Sequence, residues 1–247
     1  MSPALAPDVV LAAAAGNVDP GVVLQAGDWE FVYRNRRFLL YGAGVTVLLT
    51  LTSVVLGLLA GLPAGIVEVY GSGPVAAAVN RAGVLLRGTP LLVILAFTFF
   101  VNPINVGAFE AATLGLGLRS AAYQSQIFRG AIQSVGEGQM EAARSVGMSQ
   151  FEAIRHVVVP QALRRSIPGF QNEFTIVLKD TSVAFFIGLA ELLTRGFNLF
   201  TQPGQSTSVL EVILAVSAVY FVLTVLTNQG LELLGRRFAI PGTGGER

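Results

Sequence analysis

Five long apolar stretches dominate the chain, separated by charged or turn-forming residues. The clearest runs from Phe38 to Val67 without a charge, between Arg37 and Glu68. About 20 apolar residues cross the hydrocarbon core of a bilayer as a helix, so this stretch is long enough to span it with a tilt. The other four are Gly88–Phe109, whose helix is expected to begin near Pro74, Ala111–Gly136, Ser166–Thr194 and Val212–Leu231. The pattern predicts an all-α membrane protein with about five transmembrane helices.

The third and fourth stretches are interrupted by charged residues. Arg119 and Arg129 lie in the third, and Glu173, Lys179 and Asp180 lie in the fourth. Burying one charge at the centre of a bilayer costs at least about 2.5–3.5 kcal/mol, so such residues face a bundle interior or a wet cavity. These two helices are therefore predicted to line a pathway.

The only long polar stretch, residues 137–165, lies between the third and fourth helices. It is rich in arginine, and short basic loops stay in the cytoplasm. This orientation makes residues 1–37 an extracytoplasmic leader, residues 38–237 the transmembrane domain and residues 238–247 a cytoplasmic tail. The Arg34–Arg37 cluster argues against it, and an arrangement of four spans with the N-terminus inside stays open.

Composition excludes several classes of protein. Charged residues make up 13% of the 247-residue chain, about half of the roughly 25% found in soluble domains. The net charge of +1 and the lack of a basic tract argue against a nucleic-acid partner. The chain has no cysteine and one histidine, His156, so neither a metal site nor a catalytic triad is expected. Its only lysine, Lys179, is not in a phosphate-binding loop, so any ATP hydrolysis needs another polypeptide.

The polar stretch itself reads as two short helices broken at a glycine. The helix-forming run Gln139–Val146 stops at Gly147, which adopts a left-handed cap at little steric cost. Ser149 and Glu152 are spaced as a capping box that starts the second helix. Pro160 is predicted to end this second helix, because the residue before a proline is biased away from helical geometry.

Spacing places Phe151, Ile154 and Val158 on one apolar face of the second helix. Isolated helices this short are marginal in water and need a surface to pack against. Two interpretations follow from the residues alone. The pair folds back on the transmembrane helices of the same chain, or its apolar face enters a groove on a soluble partner.

A family resemblance favours the soluble partner. Glu141–Ala143, Gly147, Val157 and Val159–Pro160 resemble the signature loop of permease subunits in ATP-binding-cassette importers, with valine at two positions that usually hold isoleucine and leucine. In that family the loop is a pair of coupling helices seated in a cleft of the ATPase. The resemblance assigns this contact to Glu141, Ala142, Ala143, Gly147 and Pro160, and the apolar face adds Phe151 and Ile154.

Other stretches are similar to the polar amino acid permeases of the histidine, glutamine, arginine and glutamate type: Arg87–Leu92, Tyr123–Ser134, Pro160–Arg164 and Leu178–Ser182. This similarity implies a type I importer transmembrane domain paired with a second permease, as a homodimer or a heterodimer. It also implies two ATPase subunits, which bind the ATP and Mg²⁺, and an extracytoplasmic solute-binding protein. This chain itself is expected to bind no cofactor.

One residue departs from the family pattern. Gln126 occupies a position that usually holds glutamate, three residues before Arg129. A neutral amide neither binds a cationic group as a carboxylate does nor titrates, so a cationic substrate is not implied.

Several polar residues are expected to contact the substrate along the pathway: Lys179, Asp180, Thr181, Ser182, Arg87, Thr89, Gln126 and Arg129. The alternative for Lys179 and Asp180 is a structural ion pair with a residue such as Arg129 or Glu173. Adjacent helical residues lie about 100° apart, so the two do not share one stripe. Gly88 and Thr89 predict a broken helix that restarts at Pro90, which gives Arg87 either a structural or a pathway role.

Two functions remain in competition at the level of sequence. The first is the permease subunit of an ATP-driven importer for polar amino acids or a related solute, working by alternating access in the plasma membrane. The second is a carrier or channel for a small charged solute that works without ATP. The first is favoured by the signature loop, and the second needs only the charged helices.

Overall fold

The structure is a computed structural model that describes residues 29–101, 106–202 and 208–238, and every regular element in these ranges is helical. Most of the leader, residues 1–28, and nearly all of the tail, residues 239–247, lie outside the described residues. The α-helices in chain order are α1 (Trp29–Arg34), α2 (Arg36–Tyr70), α3 (Gly73–Gly88), α4 (Leu91–Ala96), α5 (Ala108–Ser134), α6 (Glu137–Ser145), α7 (Gln150–Ala153), α8 (Val159–Asp180), α9 (Leu192–Phe200) and α10 (Val209–Phe238).

Helices α2 and α10 are each long and apolar enough to cross a membrane, and α3 with α4 and the following turn makes a third span if the bent pair counts as one. Helices α5 and α8 have 27 and 22 residues. At a rise of about 1.5 Å per residue they are roughly 40 and 33 Å long, sufficient for the hydrocarbon core. Their interior charges separate them from the apolar spans, as the sequence predicts.

The break in the second span is where the sequence predicts it. Helices α3 and α4 are bent by 104° at Thr89 and Pro90. The Thr89 backbone N–H still donates to the Leu85 carbonyl at 3.0 Å, and the new helix starts with the Ile94 N–H donating to the Pro90 carbonyl at 3.2 Å. Proline pushes the preceding residue into extended geometry, and its own missing N–H costs nothing at a helix start.

A stripe of glycines on α2 sets its contact with α5. Gly57, Gly61 and Gly65 are four residues apart, so they share one face of the helix. A Cβ atom placed on Gly61 would lie 2.9 Å from the Ala121 carbonyl oxygen, and one on Gly65 would lie 2.9 Å from the Ser125 carbonyl oxygen. The two backbones therefore approach more closely than any side chain at these positions allows, an arrangement that small residues provide in membrane bundles.

The predicted pair of short helices is present as α6 and α7. Gly147 has a φ of +92°, its N–H donates to the Arg144 carbonyl at 3.0 Å, and the Met148 N–H donates to the Ala143 carbonyl at 3.2 Å. These two bonds are the Schellman termination that glycine favours. Ser149 and Glu152 form the expected capping box at the start of α7.

The prediction that Pro160 ends the second short helix is wrong. A wide π-helical turn, Ile154–Val158, follows α7, and α8 begins at once with Val159. Pro160 lies in the first turn of α8, where the missing N–H of a proline is tolerated. The fourth apolar segment therefore begins before its predicted start at Ser166, and its α-helix ends at Asp180 instead of continuing to Thr194.

The described residues divide into two compact units. The smaller contains α1, the start of α2, α9 and the first part of α10, and it is organised around Glu191. The Glu191 carboxylate accepts hydrogen bonds from the Thr194 N–H at 2.7 Å, the Leu193 N–H at 2.9 Å and the Tyr220 hydroxyl at 2.9 Å. In the same unit the Arg195 guanidinium lies 4.5 Å from the ring centres of Phe38 and Tyr41. The larger unit holds α3 to α8 and the predicted site residues.

Gly61→Ala is expected to lower the melting temperature of the detergent-solubilised protein. The new methyl group meets backbone atoms that cannot move aside, and overpacking typically costs about 1–3 kcal/mol. The matched control is Gly44→Ala, also on α2, where an added Cβ has no neighbour within 4 Å. Alanine favours helix over glycine by about 1 kcal/mol, so this control is neutral or stabilising. Equal melting temperatures for the two variants would contradict the close packing of α2 on α5.

Candidate functional site

An ion pair joins α5 to the end of α8. The Arg119 guanidinium donates to the Asp180 carboxylate, and both side chains are about a quarter exposed, at 21% and 25%. The guanidinium carbon also lies 5.1 Å from the ring centre of Tyr123, one turn along α5. Asp180 therefore forms an ion pair, as the structural alternative predicted. Its partner is Arg119, and the partners suggested from the sequence, Arg129 and Glu173, were wrong.

A second carboxylate lies on the same face of α8, deeper in the bundle. Glu173 is seven residues before Asp180, which is about two helical turns. It is 4% exposed, and its Oε1 accepts a hydrogen bond from the Ser120 hydroxyl at 2.8 Å. Ser120 in turn accepts from the Gln124 amide at 3.0 Å, and that amide also donates to the Val54 carbonyl at 3.1 Å. A polar chain therefore crosses from α2 through α5 to α8.

The residues that flank Asp180 differ in their surroundings. Lys179 is exposed, which agrees with the expectation that it does not share a stripe with Asp180. Thr181 is fully buried, and its hydroxyl donates to the Leu178 carbonyl at 2.7 Å. The Ser182 hydroxyl donates to the Lys179 carbonyl at 2.7 Å. Both hydroxyls therefore support the change from α8 to the tighter 3₁₀ turns of Thr181–Ile187.

Arg87 and Thr89 stabilise the broken helix. An Nη of Arg87 donates to the Ala122 carbonyl at 2.6 Å, which fastens the end of α3 to α5. The Thr89 hydroxyl donates to the Leu85 carbonyl at 2.8 Å and closes the last turn of α3. Both side chains therefore make structural contacts, and the substrate contact predicted for them stays a prediction.

Gln126 and Arg129 converge on Glu68, at the far end of α2. The Gln126 amide nitrogen lies 3.1 and 2.8 Å from the two Glu68 oxygens. Asn80 on α3 donates to the same carboxylate at 3.2 Å, and Arg129 pairs with it at 3.3 Å. A glutamate at position 126 would put two carboxylates together here, whereas an amide supplies a donor. Glu68 is thus the acidic neighbour that Arg129 lacks in sequence.

Sequence reasoning missed Glu68 and Asn80 as members of a polar cluster. It counted Glu68 only as the charge that ends the first apolar stretch. Gln126 and Arg129 are 58 and 61 residues away from Glu68 in the chain. No local spacing in the sequence reveals such contacts. The one available signal was the unusual Gln126 itself.

One side of the short helix pair packs on the bundle. Val158 joins a buried cluster with Ala131, Ile132, Val135 and Ala162, and Ile66, Val69, Tyr70 and Met140 lie against it. Ala143 and Ala153 are also buried. The prediction that the pair folds back on its own transmembrane helices is therefore confirmed for this side.

The other side of the pair is exposed and partly apolar. Val146 and Phe151 are 75% and 69% exposed, and Glu141, Ala142 and Gly147 are exposed beside them. The expectation that Phe151, Ile154 and Val158 share one face is wrong, because the wide turn Ile154–Val158 changes the angle between successive residues. Phe151 points outward and Val158 points into the bundle.

The capping box gives the exposed side a fixed shape. The Ser149 backbone N–H and hydroxyl each donate to the Glu152 carboxylate at 2.8 Å. These bonds, the backbone bond first, hold the pKa of Glu152 below its ordinary value. The start of α7 is therefore set by local hydrogen bonds.

Comparison with known proteins identifies the family of the chain. The family model described as "Binding-protein-dependent transport system inner membrane component" matches residues 53–240. The probable amino-acid permease protein YxeN of Bacillus subtilis is 33% identical over 87% of this chain and 97% of its own. The glutamine transport system permease protein GlnP of Escherichia coli is 33% identical over 86% and 98%.

Solved structures agree with these relatives. A chain of the crystal structure of an amino acid ABC transporter with histidines superposes with a TM-score of 0.77 at 31% identity, covering 86% of this chain and all of that one. A chain of the inward-facing MetNI methionine ABC transporter superposes at 0.73 with 19% identity over 83% and 98%, a likeness of fold. With the matched family model, these results show that the chain is an inner-membrane component of a binding-protein-dependent transport system, with the type I importer fold and the permease role that define the family.

Proposed function

We propose that this permease moves amino acids inward across the plasma membrane by alternating access, driven by ATP hydrolysis on two copies of a partner ATPase. A second permease completes the pathway, and an extracytoplasmic solute-binding protein delivers the substrate. ATP and Mg²⁺ stay on the ATPase. In this assignment the loop 137–165 is cytoplasmic, residues 1–37 are outside, and the C-terminal tail is inside.

The observation that carries the substrate class is the pairing of Arg119 with Asp180. Both groups are partly accessible, and a free amino acid presents one carboxylate and one ammonium group. Arg119 has five N–H donors and uses few of them on Asp180, so a substrate carboxylate has donors to bind. Asp180 supplies the matching acceptor for the ammonium group. Relatives named for glutamine, arginine and octopine transport fit a site that recognises the parts common to amino acids.

The same pair explains how an empty site stays stable in a membrane. Two unpaired charges inside a bundle would be costly, whereas a pair neutralises them until the substrate arrives. The substrate then exchanges one internal ion pair for two new ones. The affinity of the site then depends on the difference in free energy between the internal ion pair and the two pairs formed with the substrate. A substrate shifts a conformational equilibrium when it binds one conformation more tightly than the other.

Helix α8 links this pair to the proposed ATPase contact. It runs as one α-helix from Val159, directly after the π-helical turn Ile154–Val158, to Asp180, with Pro168 in its interior. In this proposal a displacement of the short helix pair by the ATPase is transmitted along α8, which is about 33 Å long. In this proposal Lys179, exposed on the same last turn, contacts the substrate in the assembled transporter.

Asp180→Asn and Arg119→Gln are each expected to lower ATP-driven uptake of the substrate by at least ten-fold in proteoliposomes that contain the complete transporter. Each change removes one of the two charges that hold the zwitterion, and charge-assisted bonds contribute about 1.5–3 kcal/mol. Ser166→Ala, on the same helix α8, is the matched control, because the Ser166 hydroxyl donates to the Leu163 backbone carbonyl and Ser166 is not a predicted pathway residue. Uptake by this control stays close to the parent value.

An exchange of the two charges separates recognition from structure. The double variant Arg119→Asp with Asp180→Arg rebuilds the ion pair in reverse and keeps the bundle folded, but it reverses the polarity that the substrate meets. Uptake therefore stays low in the double variant. Full recovery would reduce the pair to a structural role, and unchanged uptake without ATP would favour the ATP-independent carrier.

Phe151→Ala is expected to weaken binding of the ATPase by at least ten-fold, measured by surface plasmon resonance with permease in nanodiscs. Buried aromatic anchors commonly contribute 2 kcal/mol or more at interfaces. Phe221→Ala is an equal truncation at a side chain of identical 69% exposure on the apolar helix α10, and it leaves binding unchanged. Glu141→Arg tests the charge of the same surface. Equal affinities for the two phenylalanine variants would remove the coupling assignment.

A further inference from the structure

A polar cavity lies beside the cluster formed by Glu68, Asn80, Gln126 and Arg129. It does not include Arg119 or Asp180, and the transport proposal assigns it no role. It has a volume of about 290 Å³, slightly below the typical range for sites of drug-sized molecules. Its lining comes from the end of α2, the first half of α3 and α5: Glu68, Ala76, Ala77, Asn80, Arg81 and Arg129. Two alanines leave the space open, and four polar residues surround it.

The charges in this cavity favour an anion. The Glu68 side chain is only 2% exposed, and its oxygens already accept hydrogen bonds from Gln126, Asn80 and Arg129. Little acceptor capacity is left for a cation. Arg129 is 38% exposed and is held by a single 3.3 Å contact, and Arg81 is exposed with no ion pair in the described part of the chain. Two guanidinium groups against one saturated carboxylate leave one net positive charge.

The cavity lies at the end of the bundle that carries the short helix pair. Ile66, Val69 and Tyr70, which bracket Glu68 on α2, pack on the core around Val158 of that pair. Glu68 is therefore at the level where α2 leaves the hydrophobic span. If the helix pair is cytoplasmic, as the proposed function requires, this level is the headgroup region of the cytoplasmic leaflet.

Apolar side chains continue from Arg81 along the exposed face of α3. Val84 and Leu85 follow at i+3 and i+4, the spacing that puts residues on one helical face, and they are 56% and 70% exposed. A cationic group at the mouth of a polar cavity, with apolar surface one turn away, matches the chemistry of a lipid with an anionic headgroup and acyl chains. Basic pockets between transmembrane helices on the cytoplasmic side commonly hold such headgroups.

We propose that Arg81 and Arg129 bind the phosphate of an anionic phospholipid in this cavity, with the acyl chains lying along Val84 and Leu85. The phosphodiester carries a single negative charge, which balances the one net positive charge of the cavity. Glu68, which also accepts a hydrogen bond from Asn80, holds Arg129 in place. The lipid thereby fills the space between α3 and the α2–α5 pair.

The test is native mass spectrometry of the full-length chain in detergent, titrated with phosphatidylglycerol or with phosphatidylcholine of identical acyl chains. Phosphatidylglycerol is expected to bind about five-fold more tightly, since a basic residue near an anionic surface contributes about that factor. Arg81→Gln abolishes the preference. Arg164→Gln, the same change at an exposed arginine near the start of α8, retains it.

Four results would overturn the proposal. Equal binding of the two lipids by the parent chain, or equal losses in both arginine variants, would show that the cavity does not select a headgroup. Displacement of phosphatidylglycerol by millimolar inorganic phosphate, lost with Arg81→Gln, would make this a site for soluble anions. Loss of self-association in Arg81→Gln with lipid preference intact would assign Arg81 to the permease interface. Lipid binding is read without transport, so a failure of the amino acid proposal leaves this test valid.

Discussion

Charged and polar side chains inside a membrane bundle have to find partners on other helices, because lipid offers none. In the larger unit of this permease three such contacts converge on α5. Arg119 pairs with Asp180 of α8, Ser120 donates to Glu173 of α8, and Arg129 pairs with Glu68 of α2. These contacts hold α5 between α2 and α8, and one of them joins Arg119 and Asp180, the two charges that carry the transport proposal.

Close backbone packing makes these contacts possible. The glycine stripe of α2 lets α5 approach until a Cβ would lie within 3 Å of its backbone. At this distance the Gln124 amide reaches both Ser120 and the Val54 carbonyl. Dispersion forces and short polar contacts replace the hydrophobic effect, which is absent between helices in lipid.

The short helix pair divides its two sides between stability and function. Its inward side packs on the bundle, where Ala153 and, in the turn that follows, Val158 are buried. Its outward side keeps Val146 and Phe151 exposed, which is costly in water unless a partner covers them. The inward packing confirms the first of the two interpretations drawn from the sequence, and the exposed side leaves a surface for the partner that the second one predicts. Helix α8 follows the turn Ile154–Val158 without a loop and ends at Asp180, which is the route that the proposed coupling uses.

Local patterns determined the apolar spans, the glycine cap at Gly147, the capping box at Ser149 and the broken helix at Pro90, because each depends on neighbours within a few residues. The coupling role of the loop follows from family resemblance and stays a prediction. The prediction that Pro160 ends a helix was wrong, since whether a proline ends a helix or begins one depends on the turn before it. The partners of Asp180 and Arg129 were decided only by the tertiary structure. Those contacts join residues about 60 positions apart, and their energy depends on how closely three helices pack, which no local pattern encodes.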